Sequence, residues 1–113
     1  MVEVIATDEF VEWYRSLGDA QREQVRRYVD LLEAKGLALG FPYSSQIKGA
    51  KYAFRELRPT AGRDELRVYY AFDPKRQAVV LIGGNKSGND RFYEEMTPKA
   101  EKIWEQYLAE QEG

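Results

Sequence analysis

Residues 65–88 read ELRVYYAFDPKRQAVVLIGGNKSG, and the way this stretch folds back on itself decides the architecture. Its first half alternates. Leu66, Val68, Tyr70 and Phe72 fall on one side of an extended chain, and Arg67, Tyr69 and Ala71 fall on the other. The second run, QAVVLI, is apolar on both sides, as a strand at the centre of a sheet must be. Between them DPKR supplies aspartate and proline, residues of tight bends. Two strand-like runs joined by so short a turn predict antiparallel neighbours.

Working outward, YAFRELR (52–58) lies one turn upstream, across PTAGRD (59–64), and extends the pair to a three-stranded meander. The preceding FPYSSQIKGAKY (41–52) is broken by proline and glycine and leaves room only for a short strand at Gln46–Lys48. At the start of the chain MVEVIA alternates as a short strand. Thr7 or Asp8 can cap the helix after it. In that helix Phe10, Trp13, Tyr14 and Leu17 recur at i, i+3, i+4, i+7 and form one apolar stripe. Gly18 ends it. Asp19 is the expected cap of a second helix through Lys35, with Val25, Tyr28, Val29 and Leu32 inward and Gly36 as its stop. The C-terminal segment, from about Asn89 to Glu110, reads as helix. Pro98 is expected to interrupt it, with Thr97 as a new N-cap, and Ala100, Ile103, Trp104, Tyr107 and Leu108 form its core face. The fold class is therefore α+β, one domain over residues 1–113, in the order β-α-α-β-β-β-α. A small antiparallel sheet is covered on one face by an N-terminal αα-hairpin.

Composition narrows the chemistry. The 113 residues are 43% hydrophobic and 32% charged, ordinary for a globular domain. No apolar run approaches the ~20 residues of a membrane span. The acidic N-terminus does not resemble a signal peptide, so a cytoplasmic location without membrane contact is expected. Cysteine and histidine are both absent, which excludes disulfides, thiol and imidazole catalysis, and the usual metal-binding motifs. No metal and no cofactor are expected, and any catalysis falls to Lys, Arg, Tyr, Asp or Glu. The net charge of −2 is unevenly spread. Residues 48–91 carry ten basic and five acidic side chains, whereas both flanking segments are acidic. Such a cationic middle is the footprint of a phosphate-bearing partner, or simply the solvated face of strands.

If the hairpin covers the face of Leu66, Val68, Tyr70 and Phe72, the other face carries Arg67 and Tyr69. From the neighbouring strand it receives either Phe54, Glu56 and Arg58 or Arg55 and Leu57. Leu57 reads as core, which sets Glu56 and Arg58 beside Arg67 on an open face. Phe54 also reads as core and cannot share Leu57's face without a bulge, and the residues leave this conflict open. Paired guanidiniums grip phosphate oxygens bidentately and stay charged at any relevant pH. Lys86 stands in a glycine-rich loop at the end of the central strand. Gly83, Gly84 and Gly88 are read as letting the backbone approach a ligand, with Asn85, Ser87 and Asn89 adding polar contacts. GGNKSG lacks the spacing of a nucleotide-binding loop. Against this functional reading, Arg58 and Arg67 can equally pair with Glu56, Glu65 or Asp64.

IKGAKYAFRELRP (47–59), LRVYYAFDP (66–74) and VVLIGGNKSG (79–88), leading into a C-terminal helix, resemble the RelE/ParE superfamily of type II toxins. The phage-derived, HigB-like branch is the most similar. The resemblance spans nearly the whole chain, most clearly from Ile47 to Ala100. It implies a microbial-ribonuclease fold and cleavage of messenger RNA on the ribosome, by attack of a ribose 2′-hydroxyl on the adjacent phosphate. It implies that Arg58 and Arg67 hold the phosphate, that Lys86 assists charge or proton transfer, and that Tyr93 stacks on a base or moves a proton. Lys48, Lys51, Arg55, Arg63, Tyr69, Asn85, Ser87 and Arg91 are the corresponding RNA-contact candidates. The implied partners are messenger RNA, the ribosome and a cognate antitoxin of helix-turn-helix type. Two alternatives share the scaffold: a ParE-like inhibitor of DNA gyrase that cleaves nothing, and an inactive member that keeps only antitoxin binding. Two departures from the family are a single lysine after Asn85 where many relatives have two, and an isoelectric point near 5.3.

Overall fold

In the computed structural model, which describes residues 1–112, the chain runs as β1 (Val4–Ala6), α1 (Asp8–Arg15), α2 (Asp19–Lys35), a 3-10 turn (Gly36–Ala38), β2 (Ser44–Gln46), β3 (Arg55–Leu57), β4 (Thr60–Ala61), β5 (Asp64–Phe72), β6 (Ala78–Asn85) and α3 (Phe92–Glu112). The expected meander is present: β3, β5 and β6 pair antiparallel with β5 in the middle. β6 is an interior strand, flanked by β5 and β1, and its two apolar sides enter cores on opposite faces of the sheet. The sheet is mixed rather than wholly antiparallel, because β1 joins β6 in parallel, Val4 opposite Ala78. Alternation reports which side chains face the core but is silent on strand direction. The short extra strand falls at Ser44–Gln46, slightly before its expected position, and makes the outer edge beside β3.

Thr7 ties the first helix to the sheet. Its side-chain oxygen accepts the Phe10 amide (3.1 Å), and its hydroxyl donates to the Leu81 carbonyl (2.7 Å). That carbonyl sits at an irregularity. The register passes from Tyr69 opposite Ile82 to Tyr70 opposite Val80, so Leu81 is an extra residue in β6. The bulge keeps Val79, Leu81, Ile82 and Gly84 on one face and Ala78, Val80 and Gly83 on the other, as the two clusters below and the neighbours of the glycines show. In α2 the cap is Gly18 rather than Asp19, and the Gln21 side chain accepts the Gly18 amide at 3.0 Å.

Both faces of the sheet are covered. The α1–α2 hairpin packs Phe10, Val25 and Leu32 against Leu57, Leu66, Val68, Tyr70 and Val80. The opposite face holds a second core in which Phe54, Tyr69, Ala71, Val79 and Leu81 meet Phe92, Met96, Ala100 and Trp104 of α3. This corrects the expectation of an open face. It also removes the Phe54 conflict, since Phe54 lies under α3 and Leu57 under the hairpin. Nor does α3 break at Pro98, which lies inside one continuous helix. Thr97 therefore caps nothing; its hydroxyl pairs with Tyr69 Oη at 2.7 Å. Pro98 cannot donate to the Glu94 carbonyl, which lies on the exposed side, and the burial of Met96, Ala100 and Trp104 offsets that loss and carries the helix through. No described helix is long and apolar enough to cross a membrane.

Candidate functional site

Beyond the N-terminal end of α3 the second face is less fully covered, and a polar cluster replaces the core there. Its centre is Glu56 of β3, opposite Tyr69 of β5 and only 3% exposed. A buried carboxylate demands partners, and four side chains supply them. Ser45 Oγ donates at 2.7 Å, Tyr93 Oη at 2.7 Å and Arg58 Nη1 at 3.2 Å, while Arg67 Nε lies 3.7 Å away. The alternation of β3, β5 and β2 explains the convergence: Ser45 pairs with Glu56, Glu56 with Tyr69, and Arg67 is two residues before Tyr69.

The two arginines differ in availability. Arg58 is 26% exposed and bridges Glu56 and Ser45. Arg67 is 3% exposed; its Nη1 donates to the Leu66 carbonyl at 2.8 Å and its Nη2 lies 3.6 Å from Glu65. Among the described residues its Nε has no hydrogen-bond partner, because Glu56 stands just too far. Burial, followed by the hydrogen bond to Glu56, pushes the Tyr93 phenol up to about 12. Tyr93 is thus a proton donor at neutral pH. Lys86 Nζ lies 5.7 Å from the centre of the Tyr93 ring. A cleft of about 300 Å³ opens over Glu56 and Tyr93, lined also by Gln46, Ile47 and Lys48.

Arg58, Arg67 and Tyr93 therefore gather around one carboxylate, while Lys86 reaches only the outer side of the cluster through the Tyr93 ring. The pairing with Glu56 and Glu65 raised from the sequence is also present. Of the expected RNA contacts, Lys48 stands at the cleft rim. Tyr69 is fully buried beneath α3, its phenol pushed up to about 12 mainly by burial, and no base can stack on it. Arg55 points to the hairpin side, where its Nε meets Ser44 Oγ (3.1 Å) and Tyr70 Oη (3.3 Å). Asn85 and Ser87 are committed within the loop: Asn85 Nδ2 donates to Asp64, and Ser87 Oγ accepts the Glu65 amide and donates to the Arg63 carbonyl. Lys51, Arg63 and Arg91 are exposed and outside the cluster, with Arg91 paired to Glu94. Gly83 and Gly84 admit neighbours rather than a ligand. A Cβ would lie 2.4 Å from the Trp13 ring at Gly83 and 2.8 Å from Phe92 at Gly84.

The family model described as "Phage derived protein Gp49-like (DUF891)" matches residues 12–105. The chain belongs to this Gp49-like family. Two relatives from Mycobacterium tuberculosis carry toxin names. The one named HigB3 is 35% identical over 112 residues, covering 97% of this chain and 96% of its own length. The one named HigB2 is 37% identical over 101 residues, covering 87% of this chain but only 50% of its own length. The chain thus spans half of one relative and nearly all of the other. Among solved structures, a mutant of the Escherichia coli toxin RelE in the free state superposes with a TM-score of 0.57 at 13% identity, covering 80% of this chain and 90% of that one. RelE–RelB from Pyrococcus horikoshii matches with a TM-score of 0.56 at 18% identity, covering 77% and 97%. These likenesses make the Gp49-like fold a RelE-like one.

Sequence reasoning placed Glu56 on the right face but not among the catalytic candidates. The available signal was its position as the one carboxylate between two arginines on that face.

Proposed function

We propose that this Gp49-like protein is the toxin of a type II toxin–antitoxin pair and that it cuts messenger RNA on the ribosome. The toxin names of its relatives and its RelE-like fold support the first part. The second rests on one observation: a buried carboxylate that gathers two guanidiniums and a protonated phenol beneath an open cleft. A messenger phosphate entering the cleft draws the Arg58 guanidinium from Glu56, and Arg67 Nε gains an acceptor. The freed Glu56 carboxylate then accepts the proton of the ribose 2′-hydroxyl as its oxygen bonds to phosphorus. The bond from phosphorus to the 5′ oxygen breaks, and Tyr93 gives that oxygen a proton. Lys86 and the two arginines balance the charge on the pentacoordinate phosphate. The products are a 2′,3′-cyclic phosphate and a 5′-hydroxyl. The partners are the translating ribosome and a cognate antitoxin, of the helix-turn-helix kind.

A second reading has one observation in its favour. Arg67 is already engaged by Glu56, Glu65 and the Leu66 carbonyl, as a purely structural arginine would be. On that reading the chain binds its antitoxin, or DNA gyrase, and cleaves nothing.

A translation extract programmed with a defined messenger decides between them. The expected result is new 5′ ends at codon-spaced positions that require ribosomes. Glu56→Gln is expected to lower their rate by about 10²–10⁴, the range for a lost proton-transfer group, while circular dichroism shows the native fold. Intact messenger with wild-type protein rejects the nuclease reading; unchanged cutting by E56Q rejects the role of Glu56.

A further inference from the structure

Phe41 is 77% exposed, yet it is held in place. Arg58 Cζ sits 5.3 Å from the centre of its ring. The turn that carries it is closed by the Tyr43 and Ser44 amides on the Gly40 carbonyl, at 3.0 and 3.1 Å. The Arg58 amide donates to the Tyr43 carbonyl at 3.0 Å, which locks this turn to the end of β3. The Tyr43 ring, in turn, meets Tyr28 of α2 edge-on. Phe41 thus presents a bare aromatic surface on a fixed turn, in contact with the one arginine of the cluster that reaches solvent.

We infer that Phe41 is a stacking platform for the nucleobase beside the phosphate that Arg58 grips. The inference rests on the reading of the Glu56 cluster as an RNA-cleaving site. One side of the ring is taken by the guanidinium, and its exposure leaves the other open to a second planar group. Nucleobases stack on aromatic side chains and on arginine planes without demanding a particular sequence. Arg58 joins the two functions, since one guanidinium touches the ring and reaches Glu56 and Ser45. A protein partner would also be drawn to an exposed ring, but it would gain nothing from the link to the carboxylate cluster.

The test compares wild type, Phe41→Ala, Phe41→Leu and Phe41→Trp in the messenger-cleavage assay at varied messenger concentration. Each variant is first checked for unchanged thermal unfolding, which the exposure of the side chain leads us to expect. F41A and F41L should raise KM roughly 5- to 150-fold, the range of one lost base stack, with kcat kept. F41W should restore KM, and its added fluorescence should be quenched by a non-cleavable 2′-O-methyl oligoribonucleotide; the wild type reports the background from Trp13 and Trp104. Cleavage by F41A and F41L with wild-type KM would overturn the platform while leaving the nuclease reading intact. Loss of antitoxin affinity in F41A with unchanged cleavage would assign the ring to a protein interface and overturn it too. A wild type that cuts no messenger would remove the underlying reading and this inference with it.

Discussion

Gly83 and Gly84 illustrate how one residue is determined by its neighbours on two sides of a sheet. The Trp13 ring lies against one glycine and the Phe92 ring against the next, on opposite faces. Neither has a left-handed backbone, so the need for glycine is steric. Gly83→Ala drives a methyl into the indole and is expected to cost about 1–3 kcal/mol, as overpacking does. Gly40 has nothing within 4 Å of its added Cβ and no positive φ, so Gly40→Ala should be close to neutral. Urea unfolding of the two variants gives the comparison, and equal midpoints would refute this account of the pair.

At the scale of elements, α3 contributes most that the rest of the chain does not foretell. It seals the second core and brings Tyr93 to Glu56 from its first turn. Trp104 is its main anchor, edge-on to Phe54 at 6.4 Å and stacked on Tyr107 at 5.7 Å. Trp104→Ala should therefore destabilise by about 3–5 kcal/mol, as deletion of a core tryptophan does. The expected signature is an earlier urea midpoint in a single transition, since both cores share β5 and β6. A midpoint equal to that of the wild type would contradict the anchoring role of Trp104.

For the molecule as a whole, three tyrosines link stability to alkali. Tyr69, Tyr93 and Tyr107 are each raised from 10.0 to about 12, chiefly by burial, and Tyr93 and Tyr107 also donate to carboxylates. The folded state thus favours the neutral phenol more than the unfolded chain does. The stability this supplies is complete below pH 10.0 and is lost as pH climbs towards about 12. Urea midpoints should be level up to pH ~10 and then fall steeply. Tyr107→Phe should soften the fall by removing one ionising group far from the cleft. A level profile through pH 12 would contradict the burial of these phenols.

The sequence by itself determined what local chemistry dictates. The alternation from Leu66 to Phe72 marked two faces, the uniform run of Val79–Ile82 marked an interior strand, and the spacing of Phe10, Trp13, Tyr14 and Leu17 marked the hairpin's inner side. Absence of histidine and cysteine limited the chemistry to arginine, lysine, tyrosine and carboxylate. Strand period set Arg58 and Arg67 on the face of Glu56, while Tyr93 came only from the family resemblance. Only the tertiary structure decided that α3 covers the rest of that face. This buries Tyr69 and gives Gly84 its packing role against Phe92, while Trp13 of the hairpin does the same for Gly83. It also decided that Glu56 is the centre of the cluster, because Ser45, Arg58, Arg67 and Tyr93 come from four separate segments. A local pattern records which way a side chain points; whether that side meets water, a helix or a carboxylate depends on elements tens of residues away in the chain.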